Sequence, residues 1–408
     1  MVNINPAIFR EYDIRGIVGE DFTPEVIELL GKGYGTYLKE KGGKVASVGK
    51  DVRLSSEEFS KIFIRAINST GVDVIDLGVV PTPLSYYSVN VLEIDGGVMI
   101  TGSHNPPEYN GFKIGIGKTT IYGKEIQDFR RLIEKGEFAR GKGDCKTYDI
   151  VSQYIEDVKG RVSLKRRLNV AVDAGNGCGG MFAPDIMKDI GASVECLYCE
   201  PDGRFPNHHP DPTVDEYLMD LIRVVKEKNL DLGIAYDGDA DRIGVIDNTG
   251  RIVRGDQLVA IYAAEILERK KGEKIIFDVK CSQALPEFIE EKGGIPVMWK
   301  TGHSLIKNKM KELNAGMAGE MSGHIFFSDG YYGYDDAIYS SLRLMEIVSR
   351  SDVPLSKLVD SIPYYYSTPE LRAATTEEEK WIIVEEAKKY FKSKYKTIDV
   401  DGVRVLFG

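Results

Sequence analysis

The stretch GVMITGSHNPP at residues 97–107 joins a short apolar strand to a polar loop. Gly102 allows a sharp turn of the backbone, and the two prolines prevent the loop from continuing as a helix or a central strand. The loop therefore holds the hydroxyl of Ser103 and the imidazole of His104 at the end of a strand. A serine in that place can act as a nucleophile or a phosphoryl carrier, although an isolated Ser-His pair is more often an ordinary polar turn.

The same organisation recurs twice further along the chain. In each of three successive units, apolar strands alternate with helical patterns, and the third strand runs into a polar loop, at 101–107, 237–242 and 319–324. This alternation predicts a largely parallel sheet with helices on both faces. Ligands bind at the carboxyl ends of such strands, so the three loops are expected to form one site.

These patterns predict an α/β fold. We expect three similar α/β domains with mixed or parallel sheets around a central cleft, followed by a partial α+β C-terminal domain. The expected boundaries are 1–150, 151–252, 253–367 and 368–408. Within the last region, residues 377–394 have the pattern of an amphipathic helix, with Trp381, Val384, Ala387 and Phe391 on its apolar face. A hairpin with strands at 397–400 and 403–407 around an Asp-Gly turn is expected to follow.

Composition excludes several classes of protein. The chain has 408 residues, too many for a single core, and a net charge of −10, which argues against nucleic acid as a partner. No apolar run is long enough for a membrane span, and the N-terminus has no signal-peptide pattern. Five cysteines, an odd number, suggest reduced thiols, and we expect a cytoplasmic protein without membrane partners.

Three aspartates follow the apolar strand of the second unit at alternate positions: Asp237, Asp239 and Asp241. Carboxylates at this spacing repel one another unless a cation holds them, and hard oxygen ligands favour Mg²⁺ or Ca²⁺. Arg242 follows directly and can reach a phosphate beside a metal. The alternative is a solvated acidic turn, which the preceding buried strand and the arginine make less favourable.

Basic residues are the second requirement for an anionic substrate. Arg15, Lys113 and Lys280 are expected on loops at strand ends. Each alone would be an ordinary surface charge, but together they can line a site that accepts a phosphate group.

The third loop contains groups that suit a sugar. Glu320 and Ser322 can accept from and donate to vicinal hydroxyls, with His324 beside them. Helix capping would explain either of the first two residues equally well.

Four motifs in order, at residues 9–16, 101–113, 237–242 and 319–324, resemble those of the α-D-phosphohexomutase family. The similarity is greatest to its bacterial phosphomannomutase/phosphoglucomutase branch and covers the whole chain. It implies interconversion of hexose 6-phosphate and hexose 1-phosphate, with mannose or glucose as the sugar. It also implies a phosphoserine enzyme, Mg²⁺, and glucose 1,6-bisphosphate or mannose 1,6-bisphosphate as intermediate and activator.

The resemblance assigns expected roles to the residues of the site. Ser103 would carry the phosphoryl group and, with the three aspartates, would bind Mg²⁺. Lys113 and Arg15 would form the acid/base pair, with His104 beside the phosphoserine. The remaining expected contacts with substrate come from the N-terminal loop, the cleft wall, the specificity loop and the sugar-binding loop: Tyr12, Arg242, Lys280, Lys300, Gly302, His303, Glu320, Ser322 and His324.

The sequence departs from the family pattern at its C-terminal end. The phosphate-binding loop typical of the family's fourth domain does not follow Phe407, either because the sequence is truncated or because the chain has lost the loop. We therefore expect an intact phosphoserine and metal site but reduced mutase activity, because a remote phosphate contact contributes to turnover as well as to affinity.

Two other functions remain open from the sequence. One is a sugar phosphatase that uses a phosphoserine, or a hydrolase in which Asp237 is the nucleophile. The other is a phosphosugar-binding protein without catalysis. In every case the expected partner is a small phosphosugar, and the chain is expected to be a monomer or homodimer.

Overall fold

The computed structural model describes residues 4–366, 371 and 373–407, and for Glu377 and Glu378 the backbone alone. Three α/β units follow one another and precede a small α+β region, which confirms the predicted fold class. The predicted boundaries at 150/151 and 252/253 stay predictions, and the one at 367/368 lies outside the described residues.

The first unit contains the sheet that carries the Ser103 loop. Its strands are β1 (Ile14–Ile17), β2 (Val45–Lys50), β3 (Asp73–Val79), β4 (Gly96–Ile100), β5 (Tyr109–Ile116), β6 (Thr119–Thr120) and β7 (Cys145–Thr147), and its helices are α1 (Pro24–Glu40), α2 (Ser56–Asn68), α3 (Thr82–Val91) and α4 (Lys124–Lys135). The strand order is β1-β5-β4-β2-β3-β7, with β6 paired to β5. Strands β4, β2, β3 and β7 run parallel, whereas β5 is antiparallel to both of its neighbours β1 and β4.

The second unit repeats this arrangement. It contains α5 (Ile150–Arg161), β8 (Asn169–Asp173), α6 (Ala183–Asp189), β9 (Ser193–Leu197), α7 (Met219–Glu227), β10 (Leu232–Tyr236), β11 (Ile243–Asp247) and β12 (Ile252–Val253). The order is β12-β11-β10-β8-β9, in which β9, β8 and β10 are parallel and β11 returns antiparallel to β10.

The third unit contains α8 (Gly255–Arg269), β13 (Lys274–Asp278), α9 (Ala284–Glu291), β14 (Ile295–Trp299), α10 (His303–Leu313), β15 (Met317–Gly319), β16 (Ile325–Phe327), α11 (Ala337–Arg350) and α12 (Leu355–Asp360). Its order is β14-β13-β15-β16, with β16 antiparallel to β15. Short 3₁₀ helices lie at Pro6–Ile8, Cys178–Met181 and Asp215–Leu218.

Each polar loop therefore connects the third parallel strand of its unit to an antiparallel return strand. The sequence pattern did not predict these return strands, and it placed Arg15 and Lys113 on loops. Both residues instead lie within strands, Arg15 in β1 and Lys113 in β5. Glycines obscure the strand pattern of β5, and one of them is required by packing, since a Cβ at Gly111 would lie 2.4 Å from the carbonyl oxygen of Ile14.

The units share a hydrophobic core rather than standing apart. Buried side chains of α3, including Leu84 and Tyr87, pack in one cluster with those of the second and third units, such as Tyr154 and Leu342. A second cluster, centred on Phe63 and packed between the sheet and helices of the first unit, is separate. The continuous cluster fixes the first unit against the other two and thereby fixes the relative positions of the three loops.

The C-terminal region differs in detail from the prediction. Thr376 caps helix α13 (Glu377–Lys392), which ends two residues earlier than expected, and Trp381 on its predicted apolar face is 65% exposed. The hairpin strands β17 (Lys396–Ile398) and β18 (Arg404–Leu406) are shorter than predicted. A five-residue loop at 399–403 replaces the Asp-Gly turn, and within it Asp401 accepts a 3.0 Å hydrogen bond from the backbone N–H of Thr301. None of the helices in the described part of the chain combines the length and the apolar character that a membrane span requires.

Candidate active site

The loops of the three units meet at one place. The hydroxyl of Ser103 lies 2.9 Å from Oδ2 of Asp237, which joins the first unit to the second. Nε2 of His324 lies 3.3 Å from Oδ1 of Asp241, which joins the second unit to the third. The convergence that the repeated strand–loop pattern predicts is thus present in the structure.

Ser103 has an unusual backbone conformation. Its φ of +50° is left-handed, which a residue with a side chain rarely adopts, and its backbone N–H donates a 2.8 Å hydrogen bond to Oγ1 of Thr101. The residue is only 2% exposed. Its hydroxyl lies 3.1 Å from Nδ1 of His104. Burial, together with nearby Arg242 and Arg15, lowers the pKa of His104 far below its ordinary value, so this imidazole is neutral.

The three aspartates form a fully buried cluster. Their side chains provide oxygen atoms that lie within 4.8 Å of one another. Oδ1 of Asp237 accepts the backbone N–H groups of Asp241 and Arg242, each at 3.1 Å, which orients the loop. Burial and repulsion from Asp239 and Asp241 raise the pKa of Asp237 well above its ordinary value.

This cluster fits a hard divalent cation. Among the described residues, the buried Oδ1 of Asp239 has no hydrogen-bond partner, and the buried Oδ1 of Asp241 has only the 3.3 Å contact with Nε2 of His324. Buried carboxylate oxygens without partners are unfavourable unless a cation satisfies them, and oxygen ligands are those that Mg²⁺ and Ca²⁺ prefer. The structure therefore contains an acidic metal-binding group.

Lys113 supplies positive charge inside the cluster. Its Nζ donates to Oδ2 of Asp239 at 2.8 Å and also to Oδ2 of Asp241. Burial opposes the charged form, but these two carboxylates raise the pKa of Lys113 above its ordinary value. The ammonium group is therefore protonated in this arrangement.

Arg15 and Tyr12 approach from the N-terminal segment. Arg15 is 10% exposed in its side chain, pairs with Asp13 at 2.5 Å and also donates to Oδ1 of Asn105 in the Ser103 loop. The hydroxyl of Tyr12 donates to the carbonyl oxygen of Thr301 at 2.8 Å. The N-terminal segment therefore connects the Ser103 loop to the third unit.

The predicted specificity and sugar-binding loops contact each other through Glu320. One of its oxygens accepts the backbone N–H of Gly302 at 2.5 Å, and the other lies 3.0 Å from Nδ1 of His324. Oγ of Ser322 lies 2.9 Å from the same nitrogen. Burial disfavours the charged imidazole, but Asp241 raises the pKa of His324 to about 9.

His303 begins helix α10 and stacks on His324 with 5.7 Å between ring centroids. Burial and the nearby ammonium of Lys307 lower the pKa of His303 well below its ordinary value. The stacked pair therefore consists of one neutral and one charged imidazole.

The last predicted residues are one arginine inside the site and two lysines at its edge. Nε of Arg242 lies 3.4 Å from Nε2 of His324, inside the cluster of loops. Lys280 and Lys300 follow the neighbouring parallel strands β13 and β14, and both are exposed. The structure thus places these two lysines at the rim.

Sequence reasoning missed a group of polar residues around the loops. They are the buried residues Asp51, Arg53, Thr82 and Asp335 and the partly exposed Lys307. The hydroxyl of Thr82 donates to Oδ2 of Asp239 at 2.5 Å, and Arg53 donates to the carbonyl oxygen of Ser103 at 2.8 Å. Asp51, Arg53 and Thr82 lie within three residues of the ends of strands β2 and β3, and that position is the signal by which they could have been found.

Comparison with known proteins agrees with this geometry. Residues 6–140, 152–250 and 254–366 match the models of alpha/beta/alpha domains I, II and III of phosphoglucomutase/phosphomannomutase. A phosphomannomutase/phosphoglucomutase of Pseudomonas aeruginosa is 46% identical over 400 residues, which cover 98% of this chain and 86% of that protein. A phosphoglucomutase of Neisseria gonorrhoeae is 44% identical over 413 residues, covering 100% of this chain and 89% of that protein.

The structural comparison leads to the same group of proteins. The crystal structure of a phosphoglucomutase/phosphomannomutase family protein from Burkholderia thailandensis has a TM-score of 0.95 and 40% identity, covering 99% of this chain and 89% of that one. The chain also matches the three successive domain models in order and along most of its length. The chain therefore belongs to the α-D-phosphohexomutase family, in its bacterial phosphomannomutase/phosphoglucomutase branch.

Proposed function

We propose that the chain interconverts hexose 6-phosphates and hexose 1-phosphates, with mannose, glucose or both as the sugar. Ser103 carries the phosphoryl group, and a hexose 1,6-bisphosphate is the intermediate. The observation that carries this proposal is the 2.9 Å contact between the hydroxyl of Ser103 and Asp237, beside the ammonium group of Lys113. A nucleophilic oxygen, a carboxylate cluster and a buried cation are the parts that phosphoryl transfer requires.

The aspartate cluster supports binding of Mg²⁺. Asp237, Asp239 and Asp241 would hold the ion together with an oxygen of the phosphorylated Ser103, since the partnerless Oδ1 of Asp239 and the neighbouring carboxylate oxygens suit a hard cation. A bound Mg²⁺ supplies charge neutralisation for the phosphoryl group.

The reaction balances within the site. In the first half, the bond between phosphorus and Oγ of Ser103 breaks while a bond forms from phosphorus to the free hydroxyl of the hexose phosphate. The sugar hydroxyl loses its proton and Oγ ends the step protonated. The second half transfers the other phosphate of the bisphosphate back to Ser103, so neither phosphate nor protons are consumed.

The charges of the surrounding groups suggest how the protons move. Lys113 is protonated and is the proposed proton donor to the departing Oγ. The burial and nearby arginines that lower the pKa of His104 make its imidazole a poor proton acceptor, so its proposed part is the 3.1 Å contact with the hydroxyl of Ser103. Arg15 contacts the Ser103 loop through Asn105, and its proposed part in the expected pair is to neutralise the charge of the phosphoryl group.

The third unit is suited to hold the sugar. Glu320 contacts both Gly302 and His324 and holds them in fixed positions. Hydrogen-bond donors and acceptors for a sugar are thereby held in place opposite the Ser103 loop. We propose Tyr12, His303 and Ser322 as further contacts, with Arg242 inside the site and Lys280 and Lys300 at its rim as phosphate-binding charges. Each phosphate of the bisphosphate must reach Ser103 in turn, so the sugar binds in two orientations. The residues of the third unit can recognise the sugar hydroxyls in both of them.

Intact-mass spectrometry tests the proposal directly. After incubation with glucose 1,6-bisphosphate and Mg²⁺, wild-type protein should gain one phosphate, mapped to Ser103, and should convert mannose 1-phosphate or glucose 1-phosphate to the 6-phosphate. Ser103→Ala should gain no phosphate and lose activity. Ser361→Ala, which changes an exposed serine away from the site, should behave as wild type.

The alternatives predict other products. A phosphatase would release inorganic phosphate in proportion to substrate consumed, and a hydrolase that uses Asp237 would carry the phosphate there. Mutase activity without inorganic phosphate excludes both. Sugar phosphate binding without phosphate uptake at Ser103 would favour the non-catalytic binding protein. The expectations of a monomer or homodimer and of a cytoplasmic location stay predictions.

A further inference from the structure

We propose that Arg53 is a positioning residue that holds the Ser103 loop in its reactive conformation and connects that loop to the second unit. The inference rests on the proposed role of Ser103. Arg53 itself has no part in the expected chemistry, since its guanidinium contacts backbone rather than a reacting atom.

The contacts of Arg53 are unusually concentrated on one loop. Its Nη1 and Nη2 atoms donate to four backbone carbonyl oxygens, at 2.6–2.9 Å: those of Ser103, Asn105, Pro106 and Tyr109. Nε donates to Oδ2 of Asp51 at 3.1 Å, so every nitrogen of the guanidinium has a partner. Its side chain is fully buried. A planar guanidinium can bridge several carbonyl oxygens in fixed directions, and a lysine ammonium cannot reproduce that geometry.

Asp51 holds the other side of the loop. Its Oδ2 accepts the backbone N–H of Gly102 at 3.2 Å, and its Oδ1 accepts the hydroxyl of Ser56 at 2.5 Å. The pair therefore contacts both the start and the end of the loop. The space is closely filled, because a Cβ at Gly102 would lie 2.5 Å from Cζ of Arg53.

The second unit touches the same guanidinium. The ring of Phe205 lies with its centroid 5.0 Å from Cζ of Arg53. A Cβ at Gly203 would lie 2.3 Å from the carbonyl oxygen of Val52, so the two backbones are in direct contact. The second unit also carries Asp237. Arg53 therefore contacts both the Ser103 loop and the unit that carries the metal-binding loop, and so sets the position of one relative to the other.

The strained backbone of Ser103 explains why such a support is needed. Left-handed φ values at non-glycine residues persist where surrounding contacts enforce them. Without the guanidinium, the carbonyl oxygens of the loop lose their partners, and Oγ can move away from Asp237. A displacement of about 1 Å lowers phosphoryl transfer by about 100-fold, while substrate contacts made by the third unit stay intact.

The test compares Arg53→Lys with Arg343→Lys. Arg343 is also a buried arginine, hydrogen bonded to Glu265 and Tyr339 in the third unit, and so controls for the general loss of a buried guanidinium. We expect Arg53→Lys to lower kcat by about 100-fold with KM changed by less than about threefold. It should also slow phosphate uptake from glucose 1,6-bisphosphate, measured by intact mass, by a similar factor. Arg343→Lys should keep kcat and phosphate uptake near wild type, whatever its melting temperature.

Two further measurements keep the inference falsifiable if Arg53→Lys folds poorly. Asp51→Asn keeps the guanidinium of Arg53 but weakens its hydrogen bond to residue 51, and should lower kcat by about tenfold. A crystal structure of either variant should show the hydroxyl of Ser103 withdrawn from Asp237. Equal kcat losses in Arg53→Lys and Arg343→Lys, or a rise in KM with unchanged kcat, would overturn the inference. If wild-type protein takes up no phosphate, the proposed function itself is wrong. If wild-type protein is active and Arg53→Lys is equally active, only the inference about Arg53 is wrong.

Discussion

The hydroxyl of Ser103 and Oδ2 of Asp237 are 2.9 Å apart although 134 positions separate them in the chain. A phosphoryl group on that oxygen would bring up to two negative charges against a cluster of three buried carboxylates. Such a group is stable there only if cations balance the charge. Lys113 provides one, and the partnerless Oδ1 of Asp239, with the neighbouring oxygens of Asp237 and Asp241, provides the place for another.

Asp237→Asn is expected to remove the stabilising effect of Mg²⁺. Mg²⁺ at 100 times its Kd should raise the free energy of unfolding of wild-type protein by about 2.7 kcal/mol, and that of the variant by much less. Without metal, the variant should be at least as stable as wild type at neutral pH, because burial and repulsion raise the pKa of Asp237 in the folded protein. When the pKa of a carboxyl group is higher in the folded than in the unfolded protein, its contribution to the free energy of unfolding is fully present below the unfolded-state pKa. That contribution is lost as pH rises through the folded-state pKa.

Thermal unfolding with EDTA and with Mg²⁺ measures both effects. Asp352→Asn, which changes an exposed aspartate, should keep the wild-type response. An equal shift in melting temperature on adding Mg²⁺ to Asp237→Asn and to wild type would show that the ion binds elsewhere.

Lys113→Met should damage both turnover and metal-free stability. The variant leaves Asp239 and Asp241 without their cation, and breaking a buried pair in this way costs about 3–5 kcal/mol. It should also lower kcat by about 10²- to 10⁴-fold, through loss of the proposed acid.

Urea unfolding with and without Mg²⁺ should show that the ion recovers part of the lost stability. Lys118→Met, at an exposed position five residues later, should change neither quantity, and a similar loss in both variants would contradict the role of Lys113.

The sequence was sufficient to predict the three-unit α/β fold and the meeting of the three loops. Apolar strands followed by loops of distinct chemistry recur in order, and the carboxyl ends of parallel strands lie at one edge of a sheet. Ser103, Asp237 and Glu320 were identified because each follows such a strand within a few residues.

What the sequence could not show are contacts that depend on three-dimensional packing. Lys113 was expected on a loop because glycines hide the strand pattern of β5, and its ion pairs join residues 126 and 128 positions apart. Arg53 was overlooked because an arginine after a strand is usually a surface charge. Its position after strand β2 is the one signal in the sequence, and its complete burial against four carbonyl groups becomes visible only in the structure.

Gly238→Ala is expected to separate the metal-binding loop from the Ser103 loop. A Cβ at this position would lie 2.5 Å from the carbonyl oxygen of Ser103, so one backbone must move. We expect kcat to fall by about 100-fold or more, with a smaller change in KM. Gly160→Ala is the matched control, since a Cβ there meets no atom within 4 Å and alanine favours the helix Ile150–Arg161. Steady-state kinetics check this, and a Gly238→Ala enzyme with wild-type kcat would contradict the close apposition of the loops.

His208 should make stability depend on pH through a contact outside the metal site. Its Nε2 lies 3.1 Å from both carboxylate oxygens of Asp173, and its Nδ1 donates to the carbonyl oxygen of His209. The ring of Tyr217 stacks on it at 5.8 Å, and Asp220 adds a further negative charge nearby. Burial opposes the charged form, but the hydrogen bond and charge of Asp173 raise the pKa of His208 above its ordinary value.

A raised folded-state pKa means that protonated His208 stabilises the protein fully below the unfolded value of about 6.5, and that this contribution is lost as pH rises through the folded-state value. His208→Gln should therefore lose more stability relative to wild type at pH 6 than at pH 9. Urea unfolding midpoints across this range measure the difference. His209→Gln leaves the contact with Asp173 in place and should follow the wild-type curve. A constant difference between His208→Gln and wild type at every pH would show that the imidazole acts only by packing against Tyr217.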